Sequence, residues 1–482
     1  MNRVCAKPVQ PLVEELTPAP SPWEAAIRFA DYPFVLFLDS AAADSPWSRY
    51  SFVTADPFAT LSVRGDEVYA PAPKLYPSGN PWAALAGYLA SFRTVRIPGL
   101  PPFQGGAAGL FGYGLCRHVE RVPPPRRDEF RVPDMAVGLY DWVFAYDHQV
   151  QRAWLIATGF PHQLDAGRQY AESRLRWAGG VLKMPPRPAR PLRSPALSMA
   201  DLCPQFALPG LPGVTSNFDR AAYLAAIVRA VEYIHAGDCF QVNLSQRLLH
   251  LATLPPLELY RRLRERNPAP FAGYFDMGEF VLASASPERF LRVEDGRVET
   301  RPIKGTRPRG ATPEEDDRRR RELLDSAKDR AENVMIIDLL RNDLGRVCAY
   351  GSVEVAAVCR LESYPTVHHL VSEVRGRLRP GLGPIDLLRA AFPGGSVTGA
   401  PKVRAMEIIA ELEPTARGAY CGSLGYAGFD GSMDTSILIR TFTAGGGWLQ
   451  FPVGGGIVAD STPQDEYAET LHKAEGLLRA LS

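Results

Sequence analysis

Between residues 220 and 236 apolar positions recur three and four apart, and Leu224, Ile227, Val228, Val231 and Ile234 fall on one helix face. Asn217 suits the N-cap of that helix, and Gly237 suits the residue just past its end. Elsewhere the period shortens. The stretches "YPFVLFLDSA", "SRYSFVTADP" and "MAVGLYDWVFAYD" are β-branched and aromatic between turn signals, which predicts strands. Further strands are predicted in "FQVNLSQRLL" and in "FAGYFDMGEFVLASASPERFLRVEDGRVETRPI", where Asp295-Gly296 signals a two-residue hairpin. The chain closes with a hairpin, "TSILIRTFTAGGGWLQFPVGGGIV", and a helix from about 463 to 481. Gly445 to Gly447 read most simply as a turn. Hairpins mixed with helices predict an α+β fold with large antiparallel sheets rather than a run of βαβ units.

A chain of 482 residues exceeds one ordinary core. The proline-rich stretch 183–213 has no sustained period and reads as a connector. It separates a sheet-rich region, 1–182, from a second region, 214–482. The net charge of +1 provides no overall basic field for nucleic acid or an anionic membrane. The N-terminus reads as a short arm without the apolar core of a secretion signal, and no apolar run is long enough to span a bilayer. Cysteines 5, 116, 203, 239, 348, 359 and 421 are scattered without a CxxC pair, which predicts reduced thiols in the cytoplasm and neither a disulfide scaffold nor a zinc site. The four consecutive arginines 318–321 stand four residues after Glu314, Glu315, Asp316 and Asp317. That order predicts a solvated, ion-paired helix rather than a nucleic-acid contact.

Candidate chemistry sits in two acidic helical patterns. Asp329 and Glu332 are three apart, and Glu466, Glu469 and Lys473 align on one face. Such pairs usually face solvent. The second, however, follows Gly454, Gly455 and Gly456, where backbone could approach a ligand closely or simply turn. Carboxylates from two helices around one cavity would suit Mg²⁺, which leaves positions for substrate oxygens. A phosphate loop is the rival reading of "FPGGSVTGAPKVRAMEIIAEL". It fails, because Ala400-Pro401 precede Lys402 and Val403 replaces the hydroxyl residue. In "VETRPIKGTRPRG", Lys304 stands between Ile303 and Gly305 at the end of a strand-like run, either a surface charge or a reacting amine.

Taken together, "PIKGT", "AKDRAENVMIIDLLRND", "TVHHLVS", "FPGGSVTGAPKVRAMEIIAELEP", "CGSLGYAGFDGSMDTSILIRT" and "GGGIVADSTPQDEYAETLHKA" resemble the chorismate-utilising enzymes. The resemblance runs from about 219 to 480 and continues more weakly in "FLDSAAADSPWSRYSFVTADP" and "FQGGAAGLFGYGLCRHVE". It implies a four-layer α/β/β/α fold whose catalytic, chorismate-binding region is 214–482. It further implies that Glu332 and Glu469 hold Mg²⁺, with Asp329 and Glu466 beside them, the metal acting as Lewis acid and template on the ring carboxylate. Glu288 matches a general acid near the departing 4-hydroxyl, a role that needs a raised pKa. His369 matches an active-site histidine. Thr306, Ser396, Tyr426, Arg440, Lys473, Gln241 and Gly454 to Gly456 match substrate-holding positions, Arg440 suiting a carboxylate.

Two positions divide the family's branches. Isochorismate and salicylate synthases carry a water-activating lysine where this chain has Gln241. The anthranilate synthase branch usually has alanine where this chain has Lys304, and the lysine form resembles the aminodeoxychorismate synthase branch. The resemblance therefore implies that Lys304 attacks chorismate covalently and that ammonia displaces it, giving 4-amino-4-deoxychorismate for p-aminobenzoate and folate synthesis. No cysteine stands in a nucleophile-elbow setting, and the resemblance implies that ammonia comes from a separate glutamine amidotransferase subunit. The stretch "FLDSAAADSPWSRYSF" resembles a regulatory tryptophan pocket, with Asp39 where a glutamate is common.

Overall fold

The computed structural model describes residues 8–42, 45–70, 80–188, 196–364 and 367–482. Cys5, the first residues of the N-terminal arm, residues 189–195 of the connector and Thr366 of "TVHHLVS" lie outside them.

Two antiparallel sheets dominate, with thirteen and eleven strands among the described residues. The first runs from Leu12–Leu16 through Arg152–Ala157, Trp142–Asp147, Tyr50–Thr54, Leu36–Asp39, Phe271–Asp276, Val281–Ser286, Thr441–Gly445 and Trp448–Ile457 to Gln241–Leu251 and two short strands beyond it. The second runs from Ile303–Pro308 through Val367–Arg377, Arg297–Thr300, Arg289–Glu294, Met433–Ile437 and Ser423–Gly428 to Gly106–Phe111, Met135–Tyr140, Ala59–Arg64 and Glu67–Tyr69.

Strand alternation explains why the sheets stack. In Gly106–Phe111, Ala108 and Leu110 enter the core between the sheets, while Ala107 and Phe111 face outward into a helix-covered core. Trp142–Asp147 does the same, with Val143 and Ala145 inside and Trp142, Phe144 and Tyr146 outside. Helices Pro22–Arg28, Leu164–Leu182, Pro256–Arg266 and Pro463–Leu481 cover the outer face of the first sheet. Pro81–Ser91, Arg220–His235, Ala327–Gly345, Pro384–Ala391 and Lys402–Leu412 pack into the core that rests largely on the second. Helix, sheet, sheet, helix is thus the layer order. Fully burying one leucine or phenylalanine in such a layer contributes about 1.5–3 kcal/mol, which is why each strand keeps its apolar alternation.

The division at 183–213 is a feature of sequence and not of space. Phe37 pairs with Tyr274 in the first sheet, and Ala108 pairs with Tyr426 in the second. Strands of the N-terminal region are therefore built into both sheets. The N-terminal arm is likewise partly strand, since Leu12–Leu16 pairs with Arg152–Ala157. No helix among the described residues is long and apolar enough to cross a membrane. The six described cysteines are all free and buried.

Local details refine the expectations. Asp295 and Gly296 both take positive φ, the geometry of the two-residue hairpin. Of the three glycines expected as a turn, Gly446 and Gly447 form it, while Gly445 ends strand Thr441–Gly445 and pairs with Trp448 of strand Trp448–Ile457. The helix expected from Asn217 starts later, at Arg220, because Asp219 caps it by accepting the Ala222 N–H at 2.7 Å. Asn217 instead bridges two segments, accepting the Arg247 N–H and donating to Thr415. Val228 is exposed, and Tyr223, Ala226 and Ala230 join Ile227 on the buried face. In the charged helix Pro313–Asp325, Glu315 pairs with Arg319 and Asp317 with Arg321 as the spacing predicts. Asp316 departs from the pattern and pairs with Arg309 at 2.7 Å and His368 at 2.9 Å.

Candidate active site

Strand Ile303–Pro308 lies against Val367–Arg377, with Thr306 opposite His369 and an irregular register between Ile303 and Thr306. Gly305 takes φ 83° within that irregularity, which frees Lys304 from the regular ladder. Its Nζ reaches 3.5 Å from Glu332 Oε2, and the side chains are only 13% and 15% exposed. Glu332 comes from helix Ala327–Gly345, whose N-cap Ser326 accepts the Asp329 N–H at 3.2 Å. Asp329, one turn before Glu332, accepts from Arg307 at 3.0 Å.

The second acidic pattern arrives on helix Pro463–Leu481, capped by Thr462. Gly454, Gly455 and Gly456 form strand rather than turn, opposite Ser245, Leu244 and Asn243. Their lack of side chains is a requirement. A Cβ at Gly455 would lie 3.0 Å from Glu466 Oε2 and 3.4 Å from Glu469 Oε1. At Gly456 it would lie 2.6 Å from Gln241 Nε2 and 3.3 Å from Lys304 Nζ. Successive glycines therefore bring together the acidic helix on one side and Lys304 with Gln241 on the other. Lys473 donates to Glu469 at 2.6 Å and to the Gly454 carbonyl at 2.9 Å, tying helix to strand.

Glu288 follows strand Val281–Ser286 and is buried. Burial pushes its carboxyl up to about 7, against the opposing pull of the Ser396 hydroxyl, Lys304 and the Ile303 N–H. Ser396 Oγ donates to Glu288 Oε1 at 2.9 Å. A carboxyl in this range is half protonated near neutrality, as a general acid must be. His369 moves the other way. Burial, with the Arg440 cation beside it, lowers its ring to about 4, so it is neutral. Its Nδ1 shares a hydrogen bond of 2.8 Å with Thr306 Oγ1.

Arg440 sits where the chain crosses from strand Met433–Ile437 of the second sheet to Thr441–Gly445 of the first, with φ 51°. Its carbonyl accepts the Ala285 N–H at 3.0 Å, which fixes the left-handed backbone. Burial lowers its pKa, and it makes no ion pair among the described residues. A partly buried cation on left-handed backbone, with no counter-charge among the described residues, suits an anionic ligand.

Some expected residues stand elsewhere. Tyr426 is in the core between the sheets, stacked on Phe103 at 4.4 Å and edge-on to Phe52 at 5.8 Å. Alternation along Ser423–Gly428 sends Leu424 and Tyr426 to that core, so the match to a substrate contact is corrected to a packing role. Lys402 donates to Asp343 and to the Ala391 carbonyl, both at 2.6 Å, tying helices together with no phosphate role. Asp39 is occupied by Tyr260 at 2.9 Å and Arg264 at 2.7 Å, and Trp47 lies on the Arg301 guanidinium at 3.9 Å. Two cations escaped the sequence reading. Arg307 pairs with Asp329, and Lys328 approaches Glu466 at 3.9 Å. Both stand inside the quoted blocks; Lys328 carried a local signal, one turn before Glu332, whereas Arg307 carried none, since its acid lies 22 residues away on another element.

No group of three or more His, Cys, Asp or Glu side chains among the described residues could hold a metal ion unaided. The donors nonetheless fit a hard divalent cation that is completed by substrate and water. Glu332 and Glu469 both face the Lys304 amine, which contributes electrostatically to Glu469 as well as touching Glu332. Glu466 Oε2 is buried with no hydrogen-bond partner and points at Gly455. Mg²⁺ takes one or two protein carboxylates and keeps its other positions for oxygens of this kind.

Comparison with known proteins places nearly the whole chain in one family. Residues 36–479 match the family of chorismate binding enzymes. Aminodeoxychorismate synthase component 1 of Salmonella typhimurium is 44% identical over 453 residues, covering 93% of each chain. Anthranilate synthase component 1 of Thermus thermophilus is 42% identical over 470 residues, covering 96% of this chain and 95% of its own. The crystal structure of anthranilate synthase component I from Streptococcus pneumoniae superposes with a TM-score of 0.75 at 31% identity, covering 90% of this chain and 93% of the other. A family match over residues 36–479, with relatives above 40% identical over nearly the whole length, makes this chain a member of the chorismate binding enzymes.

Proposed function

We propose that this enzyme aminates chorismate to 4-amino-4-deoxychorismate, with Lys304 as a covalent nucleophile and ammonia supplied by a glutamine amidotransferase subunit. The observation that carries the reading is Lys304 itself, an amine 3.5 Å from Glu332 on the glycine floor that also faces Gln241. An aminodeoxychorismate synthase component 1 at 44% identity supports it, and the "component 1" of that name supports a partner subunit.

Arg440 receives a substrate carboxylate through its planar guanidinium. Glu332 and Glu469 would hold Mg²⁺, with Asp329 and Glu466 adjacent, and the ion supplies Lewis-acid stabilisation of a ring carboxylate. Lys304 Nζ then bonds to ring C2 while the double bonds shift and the 4-hydroxyl leaves as water, protonated by Glu288. Ser396 orients that acid, and Thr306 orients the neutral His369 ring. Ammonia bonds to C4, the double bonds shift back, the electron pair of the breaking N–C2 bond returns to Lys304, and the proton shed by the new ammonium group restores Glu288. The enolpyruvyl group is untouched.

Anthranilate formation is the second reading, favoured by the Thermus thermophilus relative at nearly equal identity. Mass spectrometry of the product from chorismate, Mg²⁺ and ammonium salt separates the two. Aminodeoxychorismate as the main product supports the proposal, and anthranilate with released pyruvate overturns it.

A further inference from the structure

Arg417 is buried, and its guanidinium donates to three segments at once. Nε donates to Glu413 Oε2 at 2.9 Å and Nη1 to the Val397 carbonyl at 3.0 Å. Nη2 donates to the Asn243 carbonyl at 2.8 Å and to Glu413 Oε1 at 2.6 Å. Glu413 Oε1 also accepts the Ser245 N–H at 2.9 Å and the Ser245 hydroxyl at 2.8 Å. The rings of Tyr113 and Tyr420 lie against the guanidinium at 4.9 and 5.7 Å. A buried ion pair contributes little stability beyond what well-packed apolar residues of the same volume would give. What this one supplies is geometry, because a planar fork fixes the directions in which its partners lie.

Those partners lead to the acid. Asn243 and Ser245 belong to strand Gln241–Leu251, which a continuous ladder holds against Trp448–Ile457. Val397 ends the short helical turn Gly395–Val397, and Ser396 within that turn donates to Glu288 at 2.9 Å. The turn is too short for a ladder of its own. It is tied to the strand by the Asn243 N–H, which donates to the Thr398 carbonyl at 2.8 Å, and by Arg417 on the Val397 carbonyl. One guanidinium thus carries the position of a rigid strand to the residue that aligns the acid.

Resting on Glu288 as the acid of the reading above, we infer that Arg417, held by Glu413, is a positioning residue for this reaction, setting the turn that carries Ser396 and acting on Glu288 only through that hydroxyl.

The test is a double-mutant cycle on the full chain with chorismate, Mg²⁺ and ammonium chloride. Ser396→Ala should lower kcat by about tenfold, the scale of one hydrogen bond to an ionisable group. It should also move the alkaline fall of kcat, which Glu288 sets at about 7, to higher pH. The Ser396 hydroxyl, Lys304 and the Ile303 N–H all pull that carboxyl down against its burial, and one of these pulls is then lost. Arg417→Lys keeps the charge and loses the fork. It should give the same loss and the same displacement, with the KM for chorismate within about twofold of wild type. In the Ser396→Ala background, Arg417→Lys should cost nothing further, since residues acting through one contact are not additive. A merely structural residue would lower kcat by the same factor in both backgrounds and leave the pH profile in place. That result, or wild-type kcat in Arg417→Lys, overturns the inference. Glu413→Gln, nearly identical in shape, is read in the same way if the lysine variant does not fold. Wild-type kcat and pH profile in Ser396→Ala would sink the acid assignment itself, and that variant leaves Arg417 intact, so the two failures are distinguishable.

Discussion

Lys304 Nζ meets Glu332 Oε2 at 3.5 Å, although one residue stands on an irregular strand of the second sheet and the other on helix Ala327–Gly345. The amine proposed to react and an acid proposed to hold the metal are therefore electrostatic partners, and changing either changes the surroundings of the other.

Removing the amine tests this first. Lys304→Ala is expected to lower aminodeoxychorismate formation by about a hundredfold or more, the loss of a group acting only at the reacting centre. A trace of anthranilate should emerge as ammonia enters directly, visible by its fluorescence. Unchanged rate and product would remove the nucleophile assignment.

The acids make a prediction that needs no turnover. Glu332→Gln and Glu469→Gln should each weaken binding of Mg²⁺ alone by roughly tenfold or more, since a cation that takes only one or two protein carboxylates loses a principal ligand. Titration calorimetry reads this directly. Wild-type affinity in the double variant would rule out both residues as ligands.

Glu288 predicts opposite trends for stability and rate from one carboxyl. Its folded value, about 7, lies above the ordinary 4.5. Between those values the native state holds a proton that the unfolded chain has released. Stability therefore falls as pH rises through that window, by about 3 kcal/mol in all, and is flat above it. Glu288→Gln should gain on wild type by that margin between pH 4.5 and 7 in denaturant melts, while losing activity throughout. Wild-type kcat should fall as pH rises past about 7, where the acid is spent. Parallel melting curves for the two proteins across the window would contradict the assignment.

Arg440→Lys keeps the charge and loses the planar fork. The KM for chorismate should rise by about tenfold, with thermal stability little changed because no ion pair is lost among the described residues. Equal KM values would move the substrate carboxylate elsewhere.

Much of this was legible in the chain because it is local. The Asp295-Gly296 hairpin, the closing helix and the acid spacings 329/332 and 466/469 depend on neighbours a few residues away. What the chain hid is long-range. The pairing of Phe37 with Tyr274 and of Ala108 with Tyr426 interleaves the two regions, and no local period announces it. Tyr426 was misread for the same reason, since alternation shows that it has a face but not which layer that face meets. Asn217 lost the cap to Asp219 because Arg247 and Thr415, remote in sequence, engage its amide.

The most direct measurement is intact-protein and peptide mass spectrometry on enzyme mixed with chorismate and Mg²⁺, then quenched before and during ammonium-driven turnover. A chorismate-derived mass, less one water, located on the peptide containing Lys304 and disappearing as aminodeoxychorismate accumulates is the predicted result. Full-speed formation of the same product with no added mass on that peptide at any time would contradict the account.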